Sequence, residues 1–250
     1  MKYKGFYVAR YEAGLADGIT PYSTDTNTLG PVPEYNIDKT PKSQAGQDPW
    51  IFITQTQSKE NAENWYASSS SVESGLITGT QWDVMLNKFI GTTNQNGITF
   101  TENDLRYSDR WGNYGDTNIP YIGRTANTYM NGSNWYIKPF TRTVATGTTE
   151  YTTEYTTGAS KVAESYHIYD IAGNVWEWTD EIGGPAGASI DSNYSVLRGG
   201  GCEQSSTNAP ACIRSGGNNA FYVYNCYHRI PHCTLYQVTT TQPKTKVILF

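Results

Sequence analysis

One block of the chain, running from Ile168 to Thr179, constrains the fold more than any other. It reads Ile-Tyr-Asp-Ile-Ala-Gly-Asn-Val-Trp-Glu-Trp-Thr. Gly173 and Asn174 tolerate a left-handed backbone, so they predict a tight turn ahead of the tryptophans. On a strand, Trp176 and Trp178 would share one face, because side chains alternate along a strand. We interpret the block as a buried structural hub of the fold.

A second motif, Arg198-Gly199-Gly200, follows this block. Arg198 carries a planar donor fork that suits inward-facing carbonyls or carboxylates. The D-x-x-G-N-V-W-E-W pattern beginning at Asp170, followed by R-G-G, resembles the signature of the formylglycine-generating-enzyme-like, or sulfatase-modifying-factor, family. The opening segment, residues 5–12, and a helix containing Trp82 resemble that family too. The resemblance therefore runs, unevenly, from about residue 4 to residue 236.

This resemblance implies an α+β domain of C-type-lectin-like fold. We expect one domain over residues 1–250, with two helices, a twisted and mostly antiparallel sheet, and long loops. The local patterns fit that expectation. Residues 4–11 alternate like a strand, and residues 58–66 have helical spacing. A stronger apolar stripe predicts a second helix, started by Thr80 with Asp83; its members are Trp82, Met85, Leu86, Phe89 and Ile90.

Other segments are less regular. Residues 91–165 show no helical periodicity, and we predict no helix there. The threonine-rich run at 141–157 is either a hairpin or a loop. Pro231 interrupts a strand that the resemblance would make central, and residues 237–250 have no counterpart in the family.

Composition excludes several functional classes. Only 16% of the 250 residues are charged, whereas 14% are aromatic, a mixture unlike that of disordered chains. The net charge of −5 argues against a nucleic-acid partner. No apolar stretch approaches the roughly 20 residues of a membrane span, and the N-terminus lacks the apolar core of a signal peptide. We expect no direct membrane insertion.

The resemblance also implies a structural calcium ion. Carried over onto this chain, the site would use the carboxylates of Asp170 and Glu177 with the carbonyl oxygens of Gly173 and Val175. Oxygen ligands suit a hard cation such as Ca²⁺. We expect no catalytic cofactor.

The founding activity of the family is oxidation of a sulfatase cysteine to formylglycine by a copper-binding cysteine pair. In the family these cysteines follow a pattern resembling R-G-G-S-x-x-C-x-x-x-x-C. Here Cys202 follows the glycines too closely and Cys212 lies ten positions further on. A soft Cu(I) ion requires two converging thiolates. We therefore predict no catalysis, because neither cysteine keeps the pattern.

The remaining cysteine and histidine positions do not supply a metal centre of familiar spacing. Iron-dependent relatives need a histidine cluster, and this chain has His167, His228 and His232 alone. Cys226 and Cys233 complete a set of four cysteines without a Cys-x-x-Cys pair. Four cysteines allow three disulfide pairings, and disulfides and free thiols both stay open.

The C-terminal stretch resembles the variable proteins of diversity-generating retroelements. Their mutagenesis changes template adenines, so an Asn codon AAC is replaced by many others but never by one for Lys, Glu, Gln, Met or Trp. Residues 205–236 contain none of these five types. We therefore predict a variable, ligand-binding segment at about residues 201–236.

This segment has the composition of a recognition surface. Tyrosines supply rigid contact area, while Ser and Asn supply adaptable hydrogen bonds. The predicted ligand contacts are Arg214, Ser215, Asn218, Asn219, Tyr222, Tyr224, Tyr227 and His228. The resemblance implies a protein or glycan partner on another cell or virion, and location on a bacterial surface or phage virion. The alternatives are a copper-dependent formylglycine-generating oxidase, and a structural module of a phage tail or surface fibre.

Overall fold

The computed structural model describes residues 5–15, 40–47, 49–50, 53–69, 72–121, 129–131, 134–136, 140–143, 149–152, 156–184, 189–202, 204–218 and 245–248. The helices among them are α1 (Gln55–Asn64), α2 (Gly79–Phe89) and α3 (Glu102–Tyr107). The strands are β1 (Phe6–Val8), β2 (Ala13–Leu15), β3 (Pro41–Ser43), β4 (Val72–Glu73), β5 (Tyr129–Asn131), β6 (Asn134–Tyr136), β7 (Phe140–Thr143), β8 (Thr149–Thr152), β9 (Glu164–Ser165), β10 (Ile168–Tyr169), β11 (Glu177–Ile182), β12 (Tyr194–Arg198), β13 (Ser215–Asn218) and β14 (Thr245–Ile248).

Helices α1 and α2 both begin with a capping box. In α2, the Gln81 N–H donates to the Thr78 hydroxyl, while the Thr78 N–H donates to the Gln81 side chain. Thr54 and Gln57 form the matching capping box of α1. The predicted start of the second helix at Thr80 was therefore wrong by two residues. The first helix also begins three residues earlier than predicted, because Thr54 caps it.

The apolar stripe of α2 faces the core as predicted. Trp82, Met85, Leu86 and Phe89 are buried, whereas Ile90 lies beyond the helix end and is 39% exposed. Val84 is half-exposed on the opposite side. The stripe therefore sets the orientation of α2 and leaves one apolar side chain outward.

A third helix, α3, was not predicted. It has six residues, too few for a periodic stripe, and its buried members are Asp104 and Leu105. The Asp104 carboxylate accepts the Thr101 N–H at 2.8 Å and a bond from Arg110 Nε at 2.6 Å. Ser108 ends the helix in the left-handed conformation. Side-chain hydrogen bonds, more than apolar burial, stabilise this short helix.

The sheets are mostly antiparallel, as expected. One has the order β11-β12-β13, and four two-stranded ladders join β2 to β3, β5 to β6, β7 to β8 and β9 to β10. The run at 141–157 thus contains a hairpin. The exception is the parallel sheet β1-β14-β4, whose middle strand comes from the tail segment for which the sequence predicted nothing. The α+β class is confirmed.

Four fully buried tryptophans, each at most 1% exposed, lie in the core: Trp50, Trp82, Trp111 and Trp178. Several indole N–H groups donate to backbone carbonyls of distant segments, for example Trp178 to Ile53 at 3.2 Å. A buried indole nitrogen usually forms such a bond, whereas Trp50 Nε1 has no partner among the described residues. None of the helices in the described ranges is long and apolar enough to cross a membrane.

The two sequence motifs meet in the core. Gly173 and Asn174 both adopt positive φ, as predicted. The Gly173 N–H donates to the Gly199 carbonyl at 2.9 Å, and the Cys202 N–H donates to the Asn174 carbonyl at 2.9 Å. Trp176 and Trp178 are buried, but so are Val175 and Glu177 between them. Both faces of this segment are therefore covered, which makes it the hub of the fold.

Candidate functional site

Three carboxyl groups lie buried at the hub, and we name them the acidic centre: Glu12, Asp170 and Glu177. Their exposures are 0%, 3% and 0%. Glu12 immediately precedes β2, Asp170 follows β10, and Glu177 begins β11. Buried carboxylates are costly unless they are paired, hydrogen-bonded or bound to a cation. The arrangement therefore needs a proton or a cation to balance it.

Hydrogen bonds satisfy part of the acidic centre. The Gly158 N–H donates to Asp170 Oδ2 at 2.6 Å. The Asn174 side-chain amide donates to Glu12 Oε2 at 2.6 Å. By contrast, neither carboxylate oxygen of Glu177 accepts a bond from another residue in the part of the chain that the structure describes. Glu177 is the member of the centre whose oxygens remain available.

Burial changes the proton affinity of these groups. Desolvation raises the pKa of Asp170 to about 7. Desolvation also raises the pKa of Glu177 well above its usual range, and the nearby carboxylates of Glu12 and Asp170 raise it further. In the absence of a cation, the folded protein therefore holds protons here at neutral pH.

The chemistry of these donors suits the calcium ion that the family resemblance implies. The free oxygens of Glu177 lie near the Asp170 carboxylate, and no loop hydrogen bond of the described segments ends on the carbonyls of Gly173 or Val175. Oxygen ligands alone suit Ca²⁺. Nowhere in the described ranges do three or more His, Cys, Asp or Glu side chains converge closely enough to hold a metal, so the carbonyls would have to complete the site.

In metal-free buffer we expect the melting temperature to fall as the pH rises from 5 to 8. The folded state keeps Asp170 protonated up to about pH 7, whereas an unfolded aspartate loses its proton near a pKa of about 3.9. Between these values the folded state binds more protons, so the free energy of unfolding decreases as the pH rises. Calorimetry in EGTA measures this profile. Asp170→Asn should make the profile shallower, and Glu177, whose pKa is also raised, should keep the remaining slope. A melting temperature that rises over this range would contradict the assignment.

A second cluster, which we name the arginine anchor, joins α2 to the strands that lead into the C-terminal segment. Arg198 is 1% exposed. It donates to Asp83 Oδ1 at 2.8 Å and to the Cys212 carbonyl at 3.2 Å, and it lies over the Trp82 ring. Burial lowers the pKa of Arg198, while the negative charge of Asp83 opposes that shift. The predicted role of Arg198 as an inward donor is confirmed.

Arg214 belongs to the same anchor. Its guanidinium pairs with the carboxylate of Glu181, and it also lies 3.7 Å from Asp83 Oδ2. Glu181 lies 3.6 Å from Arg198 as well. Sequence reasoning missed this pairing, since the two arginines are far from Glu181 along the chain.

Strand β13 continues directly from the anchor. Ser215 pairs with Leu197 and Asn218 pairs with Tyr194 along β12. Gly217 packs so closely on the ring of Trp178 that a Cβ there would lie 2.5 Å from it. The first predicted ligand contacts therefore stand on a fixed strand at the edge of the described β11-β12-β13 sheet.

The other predicted contacts fall outside the described residues. They are Asn219, Tyr222, Tyr224, Tyr227 and His228. Pro231 also lies outside them. Ligand contact by these residues, and by Arg214, Ser215 and Asn218, stays a prediction.

The two described cysteines lie in different surroundings. Cys202 is fully buried beside the hub, while Cys212 is exposed. Desolvation raises the pKa of the Cys212 thiol, which disfavours the thiolate form that binds metals. Cys226 and Cys233 lie outside the described residues.

Sequence reasoning missed Glu12 and Asn113. Asn113 donates to Asn174 Oδ1 at 3.0 Å, and Asn174 in turn donates to Glu12. The sequence offered one indication for Glu12, which is a lone acidic residue at the end of an alternating strand pattern. The sequence offered no indication for Asn113, because this residue lies in an irregular polar loop.

Comparison with known proteins identifies a family whose model covers both hub motifs. Residues 41–225 match the family model of the sulfatase-modifying factor enzyme 1-like domain. Among solved structures, the chain is similar to variable protein 1 of Treponema denticola, at 14% identity over 82% of this chain and 74% of that one, with a TM-score of 0.40. No curated protein matches. The α+β architecture is consistent with a C-type-lectin-like fold, and because the family model spans well over half of the chain, the protein belongs to the sulfatase-modifying factor enzyme 1-like family.

Proposed function

We propose that this domain is a non-enzymatic binding protein that displays a diversified surface, at about residues 201–236, on a C-type-lectin-like scaffold. It would act as the variable protein of a diversity-generating retroelement. The observation that carries the proposal is the arginine anchor, which fixes β13 within the segment whose composition is that of a recognition surface.

The anchor matters because a variable surface needs an invariant base. Arg198 donates hydrogen bonds to the backbone carbonyls of Cys212 and Ile213. Backbone contacts tolerate substitution of the residue that supplies the carbonyl. The partners Asp83 and Glu181 come from α2 and β11, outside the proposed variable segment. Sites held on rigid elements position their contacts more precisely than sites on loops alone.

The positions of the two described cysteines support a non-enzymatic role over the oxidase chemistry of the family. Copper(I) requires two converging thiolates. Cys202 is buried at the hub, where its N–H donates to the Asn174 carbonyl, and Cys212 follows ten positions later beside the anchor. Family membership keeps the copper-dependent formylglycine-generating oxidase as the second candidate. Copper titration and oxygen consumption with a cysteine peptide separate the two. Our proposal predicts neither tight copper binding nor peptide-dependent oxygen uptake.

Calcium would serve this domain as a structural ion. Asp170, Glu177 and the carbonyls of Gly173 and Val175 would hold it, and the ion would supply positive charge that balances the acidic centre. Binding then displaces protons, so its stabilising effect grows with pH. We expect millimolar calcium to raise the melting temperature more at pH 8 than at pH 5. Glu177→Gln should remove most of that difference, and an equal response at both pH values would contradict the assignment.

The partner that this surface would recognise is a protein or a glycan on another cell or virion. Tyr222 and Tyr224 are the first contacts to test. Replacing both with alanine should change the free energy of unfolding by less than about 1 kcal/mol, because displayed side chains support no core. As a reference, Trp178→Ala removes a fully buried ring and should cost about 3–5 kcal/mol. Urea denaturation measures both; a core-sized loss in the tyrosine variant would assign those tyrosines to the core.

The remaining alternative is a structural module of a phage tail or surface fibre. It predicts a stable oligomer that buries residues 202–233, whereas the binding proposal requires that surface to be accessible. Hydrogen exchange of this segment in the purified protein, together with its sedimentation behaviour, distinguishes them. Strong protection that disappears on dilution to the monomer would favour the structural module.

A further inference from the structure

A hairpin outside the proposed variable segment carries two large side chains in an unusual backbone. Strands β9 and β10 pair Ser165 with Ile168, so Tyr166 and His167 form a two-residue turn. Both residues have positive φ, at 55° and 64°. A two-residue hairpin turn with two positive φ values favours Asn-Gly, because larger side chains are strained there. Strain of this kind is retained where the surrounding structure enforces it, and it is concentrated at binding sites.

The surrounding structure enforces this turn. The buried Glu164 carboxylate accepts the N–H groups of His167 and Gln95. Arg10 Nε donates to the His167 carbonyl at 3.3 Å. In spite of these ties, Tyr166 is 64% exposed and the His167 side chain is 72% exposed. The fold therefore holds the turn in place while presenting both side chains to solvent.

A cleft of about 600 Å³ lies between this turn, β1 and α2. Its volume falls within the range of about 300–1,000 Å³ that is typical of small-molecule sites. The apolar part of the lining consists of Phe6, Val8, Val84, Met85, Phe89 and Ile168. The remaining lining from the described residues includes Arg10, Lys88 and His167, and none of these described lining residues is acidic.

The charge of the cleft is opposite to that of the chain. The whole chain has a net charge of −5, yet the charged side chains that line this cleft are basic. Arg10 is oriented by its bond to the His167 carbonyl, and a guanidinium has further N–H donors with which it can bind an anion. An apolar floor beside basic groups is complementary to a molecule with an apolar tail and one anionic head.

We propose that this cleft binds a small amphiphilic organic anion, with its apolar tail on β1 and α2 and its anionic head at Arg10, Lys88 and the Tyr166–His167 turn. The site is separate from the proposed surface at 201–236. It would therefore operate whether or not that segment is diversified.

Calorimetric titration with monomeric dodecanoate tests the proposal, with dodecanol and dodecyltrimethylammonium as neutral and cationic analogues of the same tail. The full chain should bind dodecanoate and bind the other two at least about tenfold more weakly. Lys88→Gln should weaken dodecanoate binding, and Lys59→Gln on α1, whose ammonium pairs with Asp180, should not. Equal binding of the three analogues, or no dodecanoate binding, would overturn the proposal. Binding to anionic vesicles without binding of monomeric dodecanoate would overturn it as well.

The strained turn provides a matched variant. Replacing Tyr166 and His167 with Asn and Gly should raise the melting temperature, because this pair is favoured at such a turn, while dodecanoate affinity falls at least about tenfold. Opposite changes in stability and binding separate a binding role from a purely structural one. Val84→Trp, which fills the cleft from the exposed side of α2, should abolish binding independently. Unchanged affinity in either folded variant would refute the site.

Discussion

Replacing Gly173 with alanine should destabilise the protein by about 4 kcal/mol, enough to remove much of a typical folding free energy. Gly173 has a φ of +77°, where an L side chain is strained. A Cβ at this position would also lie 2.1 Å from the carbonyl oxygen of Asn113. That oxygen is backbone and accepts the Asn174 N–H, so it cannot move without breaking the hub.

Gly97 supplies the matched control for this substitution. Its φ is +83°, yet a Cβ there meets no atom within 4 Å. Gly97→Ala should therefore cost only the backbone strain, about 1–2 kcal/mol. The difference between the two variants in urea-induced unfolding isolates the close approach at the hub. Equal losses in both variants would mean that the contact between Gly173 and Asn113 adds nothing.

Arg198→Met should destabilise the protein by about 3 kcal/mol, because a buried side chain loses its charged and carbonyl partners together. Arg198 is 1% exposed and lies against Asp83, Glu181 and the Cys212 carbonyl. The substitution leaves that carbonyl without its donor. Hydrogen exchange of residues 212–218 should rise in the same variant, since the base of the segment is released.

Substitution of Arg214 tests whether burial of the arginine, and not its charge alone, produces the loss of stability expected for Arg198→Met. Its side chain is 53% exposed, and exposed ion pairs contribute roughly 0–1 kcal/mol. Arg214→Met should therefore cost less than about 1 kcal/mol. If both methionine variants lost the same stability in urea, the distinction between a buried anchor and a surface ion pair would be wrong.

The hub could be predicted from the sequence because the residue types of its motif have strong local conformational and burial preferences. Gly173 and Asn174 tolerate the positive φ values that they adopt, and the tryptophans that follow favour burial, so local conformation and packing agree. The α2 stripe was predictable for the same reason. In each case the signal lies within a few residues of the structure that it specifies.

The missed features depend on partners that are distant in sequence. Helix α3 is stabilised by Asp104 through Thr101 and Arg110, without a helical apolar stripe. Strand β14 pairs with β1 across nearly the whole chain. Arg214 was predicted as a ligand contact from its type and position, whereas its pairing with Glu181 depends on the β11-β12-β13 sheet. Such pairings are set by tertiary structure, which the local pattern does not encode.

The measurement that tests the central claim most directly is deep sequencing of the 3′ end of the gene across a population of the source organism or phage. The account predicts substitutions concentrated at codons 202–233, at positions derived from template adenines. It also predicts that codons 168–200, which encode the hub and the anchor residues Glu181 and Arg198, stay constant. An invariant 3′ end, or substitutions spread evenly over both regions, would contradict the claim that this domain displays a diversified binding surface.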